Sequence, residues 1–183
     1  MIKFEFNEIK ATHAAALFLK LSGGSVNYMK LIKLMYLADR KALQFIERSI
    51  STDNYSSMRH GPVLNNIFKI IKSNNVQSYW YKYISKPDNY NIRLINQPTF
   101  DELSEKEESI ISEIHNEYKN KNEWEMVKIC HSILKEWESP MPFSKSKPID
   151  VENILKALNK TKEEIEIITD DVESIAFLRS IAS

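Results

Sequence analysis

The stretch between Asn27 and Arg48 constrains the fold more strongly than any other part of the chain. Its apolar residues recur every three or four positions, which is the spacing of one face of an α-helix. These apolar residues are Leu31, Leu34, Met35, Ala38, Ala42, Phe45 and Ile46. The opposite, solvated side is formed by Lys30, Lys33, Arg40, Lys41 and Glu47. The pattern predicts an amphipathic helix with Asn27 as its N-cap.

Four more helices are predicted from capping signals and periodicity. They span residues 7–22, 62–74, 104–118 and 123–137. Gly23 and Gly24 end the first of them, because glycine accepts the left-handed C-terminal conformation. Pro62 suits the first position of a helix, where its missing N–H is not needed. The polar residues 49–60 before it are predicted to form an irregular loop.

The remaining segments predict a small hairpin and a helical tail. Residues 77–84 are aromatic-rich and residues 91–95 are β-branched, which is typical of a β-hairpin. Residues 139–148 contain three prolines and read as a linker. Short helices are predicted after Asp150, from Thr161 and from 170 to 181. The fold class is therefore mainly α: a compact domain of about five helices with a small β-hairpin (residues 1–140), then a linker and short helices (residues 141–183).

Composition excludes several classes of protein. Lys plus Arg and Asp plus Glu are both 25, so the chain lacks the positive excess that drives strong nucleic-acid binding. No apolar run reaches the ~20 residues of a bilayer span, and Met1–Phe6 lacks the apolar stretch of a signal peptide. Cys130 is the single cysteine, so no internal disulfide forms. We expect a cytoplasmic protein.

Residues that carry catalytic chemistry are sparse. The four histidines, His13, His60, His115 and His131, never occur at the i, i+4 spacing of a helical metal site. Cys130 and His131 are adjacent, and adjacent helical residues point about 100° apart. We therefore expect no metal, no cofactor and no enzymatic activity. The aromatic run 79–83 has two readings: it stacks on nucleic-acid bases, or it packs on the core, which we favour.

Three segments in order carry a family resemblance. Residues 30–40 contain a Lys-Leu-x-Tyr-x-Ala-Asp helix, residues 58–63 end in Gly-Pro-Val, and residues 131–137 run from His to Trp. Together they resemble the Panacea domain of the SocA-like antitoxins, over roughly residues 25–140. One departure is that the family often has an aromatic residue shortly before Gly-Pro, where this chain has Met58-Arg59-His60.

The resemblance implies a non-catalytic antitoxin that neutralises a cognate toxin by direct binding. Some relatives act as adaptors that deliver the toxin to an ATP-dependent protease, so this role is an alternative. A phage or mobile-element protein that binds a host effector is a second alternative, and a nucleic-acid-binding regulator is a weaker third. Self-association stays open.

Candidate site residues follow from the shared segments. The candidates for partner contact are Tyr36, Asp39, Arg40, Arg59, His60 and His131. The candidates for a structural role are Lys33, Leu34, Gly61, Pro62, Val63 and Trp137. Asp39 has two readings, either as an anchor for the loop that leads to Gly61 or as one half of a surface ion pair. We expect Trp137 to be largely buried.

Overall fold

The computed structural model describes residues 4–73 and 75–182. Residues 1–3 and Asn74, which bear on the predicted N-terminus and third helix, lie outside the described residues. The mainly helical class is confirmed, with seven α-helices in the described ranges where the sequence predicted about five plus short ones. The helices are α1 (Glu8–Leu21), α2 (Tyr28–Phe45), α3 (Asn65–Lys72), α4 (Glu105–Tyr118), α5 (Glu123–Ile133), α6 (Val151–Ala157) and α7 (Lys162–Ala182). None of these helices is long and apolar enough to cross a membrane.

Among the residues that the structure describes, five short strands form two antiparallel sheets. The strands are β1 (Ser25–Asn27), β2 (Tyr55–Met58), β3 (Gly61–Leu64), β4 (Asn91–Arg93) and β5 (Ser146–Ile149). β1 pairs with β4, and β2 lies between β3 and β5 in a three-stranded sheet. The second sheet therefore joins a hairpin from the middle of the chain to a strand from its C-terminal part.

Helix α2 is the centre of the core. It packs against α1, α4, α5, α6 and β3, and its N-terminus is capped as predicted, because the Asn27 side chain accepts a hydrogen bond from the Met29 amide at 2.9 Å. Burial extends around the helix rather than along one face. Lys33, predicted on the solvated side, is only 1% exposed. That prediction was wrong because α5 and β3 cover the side of α2 that the apolar periodicity predicted to face solvent.

The segment before α3 differs from the predicted loop and helix start. Residues 55–58 and 61–64 pair as a hairpin, and α3 begins at Asn65 rather than at Pro62. Pro62 fits in β3 because this strand lies at the edge of its sheet, where a missing N–H is tolerated. The hairpin therefore takes the place of the irregular loop.

The predicted strand at residues 77–84 is a short 3₁₀-helix, Tyr79–Lys82. Glu8 of α1 holds its start, because the Glu8 carboxylate accepts hydrogen bonds from the Ser78 hydroxyl and from the Trp80 amide. Trp80 points into the core at 1% exposure, whereas Tyr79 is partly exposed. The second half of the predicted hairpin includes β4, which pairs with β1. The predicted pairing of the two segments is present only as an antiparallel bridge between Ile84 and Leu94.

The C-terminal part has more regular structure than predicted. α5 ends at Ile133 instead of Trp137, and residues 146–149, predicted as linker, form β5. One helix, α7, replaces the two short helices predicted after Thr161. The division of the chain at residue 140 stays a prediction.

Candidate functional site

The turn between β2 and β3 consists of Arg59 and His60, both exposed. Met58 and Gly61 face each other as the last pair of the ladder. Gly61 has a φ of +98°, so the positive φ falls on the residue without a Cβ. The turn therefore presents a guanidinium and an imidazole at the tip of the hairpin.

Lys33 of α2 lies directly beneath this turn. Its Nζ donates a hydrogen bond to the Pro62 carbonyl at 2.6 Å. A Cβ added to Gly61 would lie 3.0 Å from the Lys33 Cε, so glycine at position 61 leaves room for the lysine. Burial lowers the pKa of Lys33 to about 8, an effect partly opposed by the Cys130 thiol. The lysine thus fastens β3 to the central helix.

Glu136 connects α2 to the segment after α5. Its fully buried side chain accepts a hydrogen bond from the Tyr36 hydroxyl at 3.0 Å. The same carboxylate pairs with the Arg40 Nε at 2.8 Å. Burial, followed by the Glu136 charge, raises the pKa of Tyr36 well above its usual value. Tyr36 and Arg40 therefore hold the 134–137 segment against α2.

Asp39 fixes the loop that leads into β2. The carboxylate accepts hydrogen bonds from the amides of Ile50 and Ser51 at 3.0 and 2.8 Å, and from the Ser51 and Tyr55 hydroxyls. Burial raises the pKa of Asp39 to about 6, although these hydrogen bonds oppose the shift. Asp39 is 2% exposed, so the reading as a surface ion pair is wrong and the reading as a loop anchor is confirmed.

Asp53 is a structural residue that the sequence reading missed. Its carboxylate accepts hydrogen bonds from the amides of Asn66 and Ile67 at 3.0 to 3.1 Å. These amides lie in the first turn of α3, where N–H groups have no partner within the helix. Burial raises the pKa of Asp53. The sequence reading placed Asp53 only within the loop predicted for residues 49–60, because a carboxylate twelve residues before a helix is no recognisable cap.

Aromatic and imidazole rings surround the hairpin tip. His60 meets Trp124 edge to face, with ring centroids 5.3 Å apart, and His131 stacks on Trp137 at 3.9 Å. The Trp137 indole donates a hydrogen bond to the Met58 carbonyl at 3.2 Å. Trp124 is 54% exposed. We call the five residues Arg59, His60, Trp124, His131 and Trp137 the tip surface.

The predicted contact residues separate into two layers. Arg59, His60 and His131 lie at the protein surface. Tyr36 and Asp39 are buried beneath it, and Arg40 is half-buried in its ion pair. Contact of any of these six with a partner stays a prediction.

Two residues depart from the sequence reading of this surface. Trp137 is half-buried rather than largely buried, because α5 ends early and the chain turns the indole onto His131. Trp124 was not predicted, although an aromatic residue outside the apolar stripe of α5 is a signal for it. Burial lowers the pKa of His131, and Lys33 and His60 add to this shift, which favours a neutral imidazole at pH 7.

Two adjoining grooves lie where the C-terminus of α2 meets the N-terminus of α4. One of about 390 Å³ has apolar walls from Phe45, Ile46 and Ile110. The other, of about 620 Å³, contains the ion pair between Lys10 and Glu107 at 2.7 Å. In these grooves, hydrogen bonds with Thr99 and Lys41 lower the pKa values of Asp101 and Glu113 respectively, which is the opposite of the raised pKa typical of a general acid. Within the described ranges of the chain, no three His, Cys, Asp or Glu side chains converge as metal ligands.

Fold and site together define a small, mainly helical protein that displays a hairpin tip held by a buried lysine of its central helix. The sequence matches the family described as antitoxin SocA-like, Panacea domain, over residues 31–138, which is more than half of the chain. The chain belongs to this family, as the resemblance predicted. The match includes α2 from Leu31 onwards, the hairpin and the segment up to Trp137, and it ends before β5. Neither a curated protein nor a solved structure matches the chain.

Proposed function

We propose that the chain is the antitoxin of a toxin–antitoxin pair and neutralises its toxin by direct protein–protein binding through the tip surface. Membership of the antitoxin family supports a protein partner and a non-enzymatic role. The observation that carries the choice of surface is the position of exposed Arg59 and His60 at the tip of a hairpin whose base is fastened by buried Lys33. Exposed Trp124 of α5 packs against His60 at this tip.

The composition of the tip surface suits a binding hot spot. Tryptophan and arginine are enriched among the residues that dominate interface energies, and Trp124 and Arg59 provide one of each. The buried contacts of Lys33, Asp39 and Glu136 hold the hairpin and its neighbours in place before any partner arrives. Such preorganisation lowers the entropic cost of association, so the network supports binding without touching the partner.

Other roles derived from the sequence receive no added support. These are delivery of the toxin to an ATP-dependent protease, binding of a host effector by a mobile-element protein, nucleic-acid regulation and self-association. They stay predictions, as does the cytoplasmic location. A toxin that acts on cytoplasmic machinery would require its antitoxin in the same compartment.

Co-expression tests the proposal directly. The chain is produced together with the product of the adjacent gene, and growth and co-purification are measured. We expect rescue of growth and a stable complex. Replacing Trp124 with alanine should raise the Kd about 30-fold, because a hot-spot residue contributes about 2 kcal/mol. Arg59→Ala should raise it by about tenfold.

Phe45→Ala is the matched control. Phe45 is a similarly exposed aromatic, at 65% against 54% for Trp124, and it lies twelve residues after Lys33 in α2, about 18 Å away along the helix. We expect no change in Kd for this variant. A neighbour that is harmless or forms no complex would refute the antitoxin proposal. A complex that tolerates both tip variants would refute only the assignment of the surface.

A further inference from the structure

Two histidines of the tip surface lie close to the buried ammonium group of Lys33. His60 directly precedes Gly61, and a Cβ added to Gly61 would lie 3.4 Å from the Lys33 Nζ and 3.7 Å from the Cys130 Cβ. His131 directly follows Cys130 in α5. The hairpin and α5 thus bring two imidazoles to the same ammonium group. We call His60 and His131 the imidazole pair.

Each member of the imidazole pair is held against a tryptophan. His131 stacks on Trp137 with an interplanar angle of 16°, and His60 meets Trp124 at 87°. The Trp137 indole is fixed in turn by its hydrogen bond to the Met58 carbonyl. An indole face attracts a cation only weakly at an exposed site, and it carries no net charge. These contacts therefore position the rings without neutralising a charge on them.

The surroundings of the imidazole pair are cationic. Burial lowers the pKa of Lys33 to about 8, so Lys33 keeps its charge below about pH 7, where imidazoles take up protons. Burial also lowers the pKa of His131, and the charges of Lys33 and His60 lower it further. Other exposed cationic side chains of the hairpin and of residues 123–137 are Arg59, Lys128 and Lys135. A proton on either ring therefore adds charge to a site that is already positive.

The carboxylates of the same segments are engaged with groups other than the imidazole pair. These carboxylates are Glu123, Glu125, Glu136 and Glu138. Glu136 is bound by Arg40. Glu138 is bound by Lys147. The two at the start of α5 oppose the lowering of the Lys30 pKa by burial. Burial raises the pKa of the Cys130 thiol to about 11, so this neighbour is neutral. No carboxylate of the described residues pairs with either imidazole.

We propose that the toxin binds the tip surface with the imidazole pair neutral, so that a fall in pH releases the toxin. The inference rests on the proposed antitoxin function and adds a mode of regulation to the same surface. Any protein seated on the tip surface removes water from the two rings, and loss of water disfavours the charged form of a titratable group. The Lys33 charge strengthens this penalty, because removal of water lowers the local dielectric constant. The direction of the effect therefore follows from the contact itself.

Calorimetric titration with the purified product of the adjacent gene measures this linkage. The Kd is determined between about pH 5.5 and 8. Each titration is run in two buffers that differ in ionisation enthalpy, which gives the number of protons released on binding. Loss of one proton per complex corresponds to about tenfold in Kd per pH unit in the titration range. We expect the Kd at the acidic end of this range to exceed that at the basic end by about tenfold or more, with protons released on binding.

Substitutions to phenylalanine keep a flat ring in place but remove its proton. The double variant His60→Phe, His131→Phe should bind with a Kd that no longer rises as the pH falls. A second double variant, His60→Gln with His131→Gln, removes the same protons without adding apolar surface and should give the same flat profile. The slope of Kd against pH is the readout, since a merely structural role would change the Kd at every pH.

His115→Phe is the matched control. Burial lowers the pKa of His115, and the charges of Lys30 and Lys119 lower it further, as cations do for His131. His115 lies in α4, outside the tip surface. This variant should therefore keep the wild-type dependence of Kd on pH. Circular dichroism at each pH checks that every variant retains its helix content.

The outcomes separate this proposal from the proposed function. A neighbour that binds at no pH removes the proposed function and the proton linkage with it. A wild-type Kd that is constant, or that falls towards acidic pH, overturns only the linkage. The linkage is also overturned if both double variants keep the wild-type slope, because the titrating group then lies on the toxin. Loss of the slope in His115→Phe would overturn the assignment to the imidazole pair in the same way.

Discussion

Replacing Gly61 with alanine perturbs the base of the hairpin tip in two separable ways. The first is backbone strain, because Gly61 has a φ of +98°, and such conformations cost about 1–3 kcal/mol in residues with a Cβ. The second is crowding, since the new Cβ would lie 3.0 Å from the Lys33 Cε, whereas carbon atoms normally stay about 3.5–4.0 Å apart.

The lysine cannot withdraw easily from this contact. Lys33 is 1% exposed, and its Nζ is bound to the Pro62 carbonyl. Overpacking in a closed site costs about 1–3 kcal/mol, so we expect Gly61→Ala to lower the free energy of unfolding by about 2–6 kcal/mol in total. Urea unfolding at pH 7, followed by circular dichroism, measures this loss.

A double-mutant cycle tells the two contributions apart. In a Lys33→Ala background the Cε is gone, so Gly61→Ala should retain only its backbone cost and the coupling energy should reach about 1–3 kcal/mol. Lys33→Met is the matched control, because methionine keeps a chain of similar length and the crowding should persist. If the costs of Gly61→Ala and Lys33→Ala add within about 0.5 kcal/mol, the crowding argument is wrong.

Three further predictions concern buried charges. The pKa of Lys33 is about 8 in the folded chain and 10.5 when the side chain is exposed. Between these two pH values the unfolded state binds more protons than the folded state, so the free energy of unfolding rises with pH. Lys33→Met should lack this rise, about 2 kcal/mol between pH 8 and 9.5 in urea unfolding. Asp39 has a folded pKa of about 6 against 3.8, so the folded state binds more protons and stability falls between pH 4 and 6. Asp39→Asn should lose this dependence, about 2 kcal/mol, and parallel pH profiles of variant and wild type would contradict the assignment. Asp53→Ala should lower the free energy of unfolding by about 1–3 kcal/mol and speed hydrogen exchange of the Asn66 and Ile67 amides, and unchanged exchange would exclude the capping role.

Local signals correctly predicted the starts of α1, α2 and α4. Asn7 and Asn27 cap α1 and α2, and Ser104 forms the capping box of α4 with Glu107, as the sequence indicated. These caps join residues two or three positions apart, so a single sequence contains both partners. The same local reasoning wrongly placed Pro62 at a helix start, because a local pattern does not show that residues 61–64 form the edge strand of a sheet.

Contacts between distant residues could not be read in this way. Glu136 meets Arg40 across 96 positions, and neither residue shows a pattern that identifies the other. β2 carries buried Ser56 and Ser57 in place of the alternating apolar residues that identify a strand. The exposed members of the tip surface were therefore largely predictable, whereas the buried network beneath them was not.

The position of β5 affects how the protein is made. β2 gains its second neighbour only from residues 146–149, about ninety residues further along the chain. Pairing over such a separation is slow compared with local contacts. A ribosome that has just synthesised residue 140 therefore carries a nascent chain whose hairpin still has an open edge, and open edges invite pairing with other chains. Synthesis of residues 146–149 thus covers the open edge of β2 behind the tip surface.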